Sequence, residues 1–520
     1  MPKSLIHRSI EEHAARVPHK VALIHREIRA TYGEINAWAN GLSRRLAAEG
    51  VAPGDRVVLF LENGLEFVVA WFAVLKAGAA AVPVCCEQAP QVLAGMVRKL
   101  EPKGIVTSSR QQRVLDQAGV LQSPAVVIGL EVAASRQGRC VPWSEVFADP
   151  EHRNSDSPVA DDALAAIIHT SGSTGEPKGV MLSHRNIVSN ANSIIDYLHL
   201  TETDIQMVVL PFYYVMGMSL LTTHCAVGGT IVINNRFAFP SEVIEQMITE
   251  NVTGFAGVPS TYTYLLHRSP LAQCRERLTS LRYCTQAGGH LPRRTKEELL
   301  RVLPEHTRLY IMYGATEAAA RLAYVEPERL REKIDSIGQP IPGVALTIRD
   351  EQGRELSDGE IGEIVASGPN IMQGYWQDRD GTEKVIDRYG YHTGDLGYRD
   401  REGFFYTVGR KDNLLKIGGH RINPKEVEEV LMATELLMEV AVLGVSDTLL
   451  EPRLVALAAP RSPGCSEKEI MRRCVAMLPK YKMPSAVKLV GSLPKTPQGK
   501  LDNRKCHDLA QRCLQGGMVL

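Results

Sequence analysis

Apolar residues recur along the first third of the chain in two alternating rhythms. Ile6, Ile10, Ala14 and Val17 follow the three-to-four spacing of a helix that buries one face. Val57 to Leu61 is an apolar run of strand length, Phe67 to Leu75 a buried helix, and Ala79 to Val84 and Ala125 to Ile128 further strands. Strands alternating with helices in this way predict parallel sheets joined by crossover helices. The stretch from Ala148 to Asp162 carries two prolines and five acidic residues and is expected to be an exposed loop. Beyond it the alternation resumes, with Leu164 to Ile168, Met207 to Leu210, Thr230 to Ile233 and Leu309 to Met312 as strands and Ser241 to Glu250 as a helix. From Gly338 to Val365, short runs separated by turns such as Asp350-Glu351-Gln352-Gly353 predict a more antiparallel, barrel-like portion.

The last portion follows a different pattern. Leu414 to Ile417 is a short strand ending at Gly418-Gly419. A helix then begins with Asn423 as N-cap, Pro424 at the first position and Glu426 as the capping-box acid, with Val427, Val430 and Leu431 as its apolar stripe. Strands at Val440 to Val445 and Leu454 to Ala459, and a second capped helix at Ser466 to Leu478, complete a small α+β domain. The expected architecture is α/β, with a large domain over residues 1–409 and a small one over residues 410–520.

Composition narrows the partners. A chain of 520 residues exceeds one core, and 44% hydrophobic with 23% charged residues is ordinary for a soluble globular protein. Lys+Arg and Asp+Glu both total 59, so no net field points to nucleic acid or an anionic membrane. Nor does the composition set an oligomeric state. Met1 to Lys20 lacks the apolar core of a secretory signal. Phe67 to Val84 is interrupted by Lys76 and Gly78, which favours a core helix and strand over a membrane span. Ten cysteines without a C-x-x-C pair or zinc spacing suit reduced thiols in a cytoplasmic protein.

Chemistry concentrates first in Thr170-Ser171-Gly172-Ser173-Thr174-Gly175-Glu176-Pro177-Lys178-Gly179. Glycines admit a tight turn and close ligand approach, hydroxyls and backbone N–H groups make a concavity for anionic oxygens, and Lys178 adds a positive charge. The stretch reads as a phosphate cradle. It departs from the common P-loop, which needs a hydroxyl residue after the lysine where this chain has Gly179. The simpler reading, a polar surface loop, has to be weighed against four more segments. Tyr313-Gly314-Ala315-Thr316-Glu317 would sit at the carboxyl end of a strand, where open α/β sheets bind ligands. Tyr391-His392-Thr393-Gly394-Asp395 sets a carboxylate in a tight turn, and Gly409-Arg410-Lys411-Asp412 stands at the domain boundary. Leu493-Pro494-Lys495-Thr496-Pro497-Gln498-Gly499-Lys500 presents a lysine near the C-terminus. Taken singly, each admits a plain role as strand-end aromatic, turn former, surface ion pair or tail charge.

Together and in this order, the five segments resemble the adenylate-forming superfamily of acyl- and aryl-CoA ligases, peptide-synthetase adenylation domains and luciferases. The resemblance covers essentially the whole chain. It implies a two-step reaction: a carboxylate attacks the α-phosphate of Mg-ATP to give an acyl-adenylate and pyrophosphate, and a thiol, usually coenzyme A, then displaces AMP. It also implies roles. The loop Thr170 to Lys178 would hold the β- and γ-phosphates, Thr316 the α-phosphate and Glu317 the Mg2+ ion. Tyr313, with Gly314 and Ala315, would line the adenine site, while Asp395 and Arg410 reach the ribose. Lys500 would bridge the substrate carboxylate and the α-phosphate, delivered by a mobile small domain that swings about Asp412. The other orientation would bring Lys416, Gly418 and Gly419 to the thiol tunnel.

On the acid side, Leu210-Pro211-Phe212-Tyr213-Tyr214-Val215-Met216-Gly217-Met218 matches the acid-binding motif of acyl-CoA ligases. Relatives that activate amino acids carry an aspartate directly after the phenylalanine; Tyr213 stands there, which disfavours an amino acid substrate. Tyr214 replaces a common histidine. With Tyr213, Tyr214 and Met218, the expected walls are Val258 within Phe255 to Thr261, and Gly288 and Gly289 before His290, which suits a fatty or aryl acid. Arg321 either reads a polar end of the substrate or serves at the surface or behind the site. Three readings stay open: a CoA ligase, an enzyme that loads a carrier-protein phosphopantetheine, and a non-catalytic nucleotide-binding relative.

Overall fold

A computed structural model of the protein describes residues 5–122, 125–130, 140–155, 159–171, 177–411, 415–417, 420–445, 453–475, 477–496 and 499–514. Among them, the large domain holds two extended sheets. One runs in parallel from Val21–His25 through Thr230–Ile233, Ile205–Val208, Gly254–Gly257 and Tyr283–Gln286 to Arg308–Tyr313, with antiparallel edges. In the other, Leu164–Ser171 continues in parallel through Ala80–Pro83, Arg56–Leu59, Gly104–Val106 and Val126–Ile128.

A shared core takes side chains from both sheets and from the helices Tyr32–Ala48, Leu65–Lys76, His184–Leu198 and Val215–Val227. Further helices cover the opposite faces, which is why the strands read as continuous apolar runs instead of alternating ones. The helix Leu65–Lys76 is almost wholly buried, and even Lys76 at its end is inside, held at 2.6 Å by Glu11. Among the described residues no helix is long and apolar enough to cross a membrane.

The barrel-like expectation corresponds to antiparallel pairing of Ala345–Arg349, Gly362–Ser367, Gly390–Arg399 and Phe405–Arg410. In the small domain, Leu437–Val445, Arg453–Pro460 and Ala486–Leu489 form a sheet, with the helices Pro424–Ala433 and Glu467–Val475 packed on one face and Asn503–Leu514 on the other.

One local expectation is corrected. Asn423 does cap its helix, accepting from Lys425 N at 3.1 Å, but Glu426 closes no capping box and pairs with Lys482 instead. The 149–154 stretch is a mostly exposed loop, as expected, but it is tied down. Glu151 N donates to Ala37 O at 3.0 Å, and Asn36 and Asn40 both donate to Asn154 Oδ1, so polar groups on the helix Tyr32–Ala48 anchor it.

Candidate active site

The strand Arg308–Tyr313 delivers its aromatic end to a turn built without spare space. A Cβ on Gly314 would lie 1.9 Å from Ala320 O, so the close approach of two backbones demands glycine there. Thr316–Ala318 forms a 3-10 turn, followed by Ala319 and Ala320 at φ 52° and 121°, a conformation that side-chain-bearing residues rarely adopt. Buried amides hold it: Asn370 Nδ2 donates to Ala318 O and Arg321 O, and Asn190 Nδ2 to Arg321 O at 2.8 Å.

Tyr313 Oη donates to Asp395 Oδ2 at 2.5 Å. Burial and this carboxylate push the phenol well above its ordinary pKa, so it stays a donor. Pairing of Gly390–Arg399 with Phe405–Arg410 sets Asp395 directly opposite Arg410, whose Nη1 stands 3.8 Å from Asp395 Oδ1. Arg410 Nη2 also donates to Thr393 O at 3.3 Å.

A second cluster includes Glu317 of the same turn. Lys178 Nζ sits 4.6 Å from the centre of the Tyr375 ring and 3.9 Å from Asp378 Oδ2. Tyr375 Oη donates to Glu317 Oε1 at 2.8 Å. This lysine and this glutamate therefore share one tyrosine. Thr170 is the cross-strand partner of Lys178 in the hairpin of Leu164–Ser171 and Pro177–Ser183.

The third cluster joins the domains. Gly499, at φ +77°, turns the chain so that its carbonyl accepts from Ser260 Oγ at 2.7 Å. Lys500 Nζ then stands 4.9 Å from the centre of the Tyr214 ring. A Cβ on Gly288 would fall 3.1 Å from Val258 Cγ1, 3.2 Å from Tyr214 Oη and 3.4 Å from Lys500 Cε, which locates all four residues around one point. Around them, His290 pairs with Glu429, Arg294 with Glu435 at 2.7 Å and Arg461 with Glu298 at 3.3 Å, while Lys495 meets Tyr264. These pairs are partly exposed, and surface ion pairs each contribute about 0–1 kcal/mol.

Residues 10–376 match the AMP-binding enzyme family. Residues 426–500 match its C-terminal domain. The chain belongs to the AMP-binding enzyme family. It is 30% identical to a 2-succinylbenzoate–CoA ligase of Bacillus licheniformis over 95% of this chain and 98% of that one. It is likewise 30% identical to a linear gramicidin synthase of Brevibacillus parabrevis over 96% of this chain, yet spans only 6% of that much longer protein. ATP-bound MatB from Rhodopseudomonas palustris superposes with a TM-score of 0.86 at 27% identity, covering 97% of this chain and 98% of that one. Both the adenylate-forming resemblance and the α/β architecture are borne out. The family match and the full-length ligase relatives support an AMP-forming acid–thiol ligase: ATP-dependent activation of a carboxylic acid, then transfer to a thiol.

Within this AMP-binding enzyme the expected residues divide into groups. Tyr214, Val258, Gly288 and Lys500 come together, as do Tyr313, Asp395 and Arg410, and Lys178 with Glu317. Thr316 is buried beside Glu317, Met218 is buried on the helix Val215–Val227, and Gly289 packs on Pro259. Tyr213 does not join them; its hydroxyl shares a hydrogen bond with the Cys85 thiol at the end of Ala80–Pro83. Arg321 is no surface residue but 2% exposed. Gly172, Ser173, Thr174, Gly175, Asp412, Gly418 and Gly419 lie outside the described residues, as do the side chains of Ser171 and Lys416. A cleft of about 510 Å3 between the helices Arg8–Arg16 and Tyr32–Ala48 shares no residue with these clusters. Sequence reasoning missed Tyr375 and Ser260, each known only through a partner distant in the chain; the glycine before Tyr375 was the one local signal.

Proposed function

We propose that the protein activates a fatty or aryl acid at the junction of these three clusters and transfers it to coenzyme A, with residues 1–409 holding the substrates and residues 410–520 acting as the lid. The observation that carries this reading is the seating of Lys500 against Tyr214 of the acid motif and against Val258 and Gly288, the residues expected to wall the acid pocket.

In the first step an oxygen of the acid attacks the α-phosphorus, the bond to the β-phosphate oxygen breaks, and pyrophosphate leaves. Two anions meet, so charge neutralisation and alignment dominate the barrier. Lys500 bridges the acid carboxylate and the α-phosphate, Thr316 donates to the α-phosphate, and Lys178 with the loop from Thr170 steadies the leaving pyrophosphate. Tyr313 and the Gly314-Ala315 backbone face adenine; Asp395 and Arg410 hold the ribose. Glu317 fits a Mg2+ site, because that ion commonly takes one or two carboxylates together with substrate phosphates, and Tyr375 orients this carboxylate. The ion supplies charge compensation at the phosphates when bound.

In the second step a thiol sulfur attacks the acyl carbon, the anhydride C–O bond breaks, AMP leaves and the thiol releases its proton. The small domain rotates about Asp412 for this step, bringing Lys416, Gly418 and Gly419 to the thiol. Similarity to peptide synthetases favours a second acceptor, a carrier-protein phosphopantetheine. Ten free cysteines suit the reducing cytoplasm.

Pyrophosphate exchange across fatty, aryl and amino acids tests the first step; repeating the reaction with coenzyme A and with holo-carrier protein identifies the acceptor. Exchange with amino acids alone would overturn the substrate class.

A further inference from the structure

We propose that Ser260 and Tyr264 are positioning residues for adenylation: together they latch the turn that carries Lys500 in the docked arrangement of the domains. The inference rests on the reading of Lys500 as the lysine of the first step.

Ser260 and Tyr264 stand four residues apart on the helix Pro259–Arg268 of the large domain, so they share one face. Both reach the small domain from it. Ser260 Oγ donates to Gly499 O at 2.7 Å. Tyr264 takes Lys495, whose Nζ donates to its hydroxyl at 3.3 Å and lies 4.4 Å from the ring centre. The Ser260 hydroxyl therefore donates across the seam instead of to its own helix. Thr263, on the same helix, returns its hydroxyl to Pro259 O four residues back, the ordinary use of such a group in a helix.

On the small domain's side the turn is tied into one unit. Thr496 N donates to Lys500 O and Gly499 N to Thr496 O, both at 2.8 Å, and a bridge pairs Lys495 with Leu501. Glu439, on the strand Leu437–Val445, holds Lys495 Nζ at 2.6 Å, so this cation is fixed by its own domain. Gly499 meets Ser260 so closely that a Cβ there would fall 2.8 Å from Ser260 Oγ. Lys495 and Gly499 thus fasten the turn at two points just ahead of Lys500. One point would leave the turn able to pivot; two set the direction from which the lysine enters. That direction matters, because a displacement of about 1 Å near the reacting atoms can cost on the order of 100-fold in rate.

The test measures both half-reactions on Ser260→Ala and Tyr264→Leu, using the fatty or aryl acid that exchanges fastest. Pyrophosphate exchange from acid and ATP reports the first step, and thioester formation from supplied acyl-adenylate and coenzyme A the second. Each variant should lower the kcat of exchange about five- to tenfold, with the KM for ATP within about twofold and thioester formation near the wild-type rate. Tyr264→Phe, which keeps the ring beside Lys495, should recover most of the exchange rate. In a Lys500→Ala background, Ser260→Ala should cost nothing further, because the group it positions is gone. A merely structural role would lower both half-reactions alike and add its loss to that of Lys500→Ala. Either result would overturn the inference, and so would unchanged exchange in both single variants. No exchange by the wild-type protein with any acid would instead overturn the adenylation reading on which the inference rests.

Discussion

Lys500 Nζ lies 4.9 Å from the centre of the Tyr214 ring, although the two residues belong to different domains. The negative face of an aromatic ring attracts a cation, by about 2 kcal/mol when both are desolvated. The Tyr214 ring thus offers the lysine an electron-rich face in this arrangement of the domains. Tyr214→Ala should slow pyrophosphate exchange about tenfold, and Tyr214→Phe, which keeps the ring, should stay within a factor of about three. Equal damage from both would show that the hydroxyl matters, not the face.

Gly288 adopts φ +83° and leaves room for Val258, Tyr214 and Lys500 at once. Gly288→Ala should destabilise the large domain by about 1 kcal/mol and reduce adenylation further, because the new methyl occupies the lysine's approach. Thermal melting and exchange rates measured on the same variant separate the two effects; melting alone should not account for the loss of rate.

Tyr375 connects Lys178 to Glu317. Tyr375→Phe keeps the ring under Lys178 and removes a hydrogen bond to a carboxylate, a contact of about 1.5–3 kcal/mol. The Mg2+ concentration needed for half-maximal exchange should rise about tenfold. An unchanged Mg2+ dependence would separate Tyr375 from the ion.

Most of the architecture was legible in the sequence, because strands buried on both faces are continuous apolar runs and the helices between them carry either an apolar stripe or, as in Leu65–Lys76, an apolar run of helix length. Asn423 as a cap was legible for the same local reason. What the sequence hid was tertiary partnership. Glu426 has the spacing of a capping-box acid, yet Lys482, 56 residues further on, takes it. Tyr213 occupies a pocket position in the motif, yet meets Cys85. Arg321 looks like a surface arginine until the Asn190 and Asn370 contacts carry its backbone inside. Tyr375 has no periodicity around it, only a strand of two residues.

Burial lowers His169, His184 and His224 from the usual 6.5 to about 4. Their folded pKa values lie below the unfolded ones, so the unfolded chain binds more protons between pH 6.5 and 4. The stability they allow is complete above pH 6.5 and is lost as the pH falls toward 4. Melting temperature should be level from pH 8 to 7 and drop steeply below 6.5. A level profile down to pH 4.5 would mean that these rings are charged in the fold.

The central claim is that Lys500 serves the adenylation step alone and arrives by domain docking. Both half-reactions measured on Lys500→Ala test it most directly: pyrophosphate exchange from acid and ATP, and thioester formation from supplied acyl-adenylate and coenzyme A. Exchange should fall by about 100-fold or more, the scale of losing a transition-state charge contact, while thioester formation stays near the wild-type rate. Equal loss of both half-reactions would contradict the account.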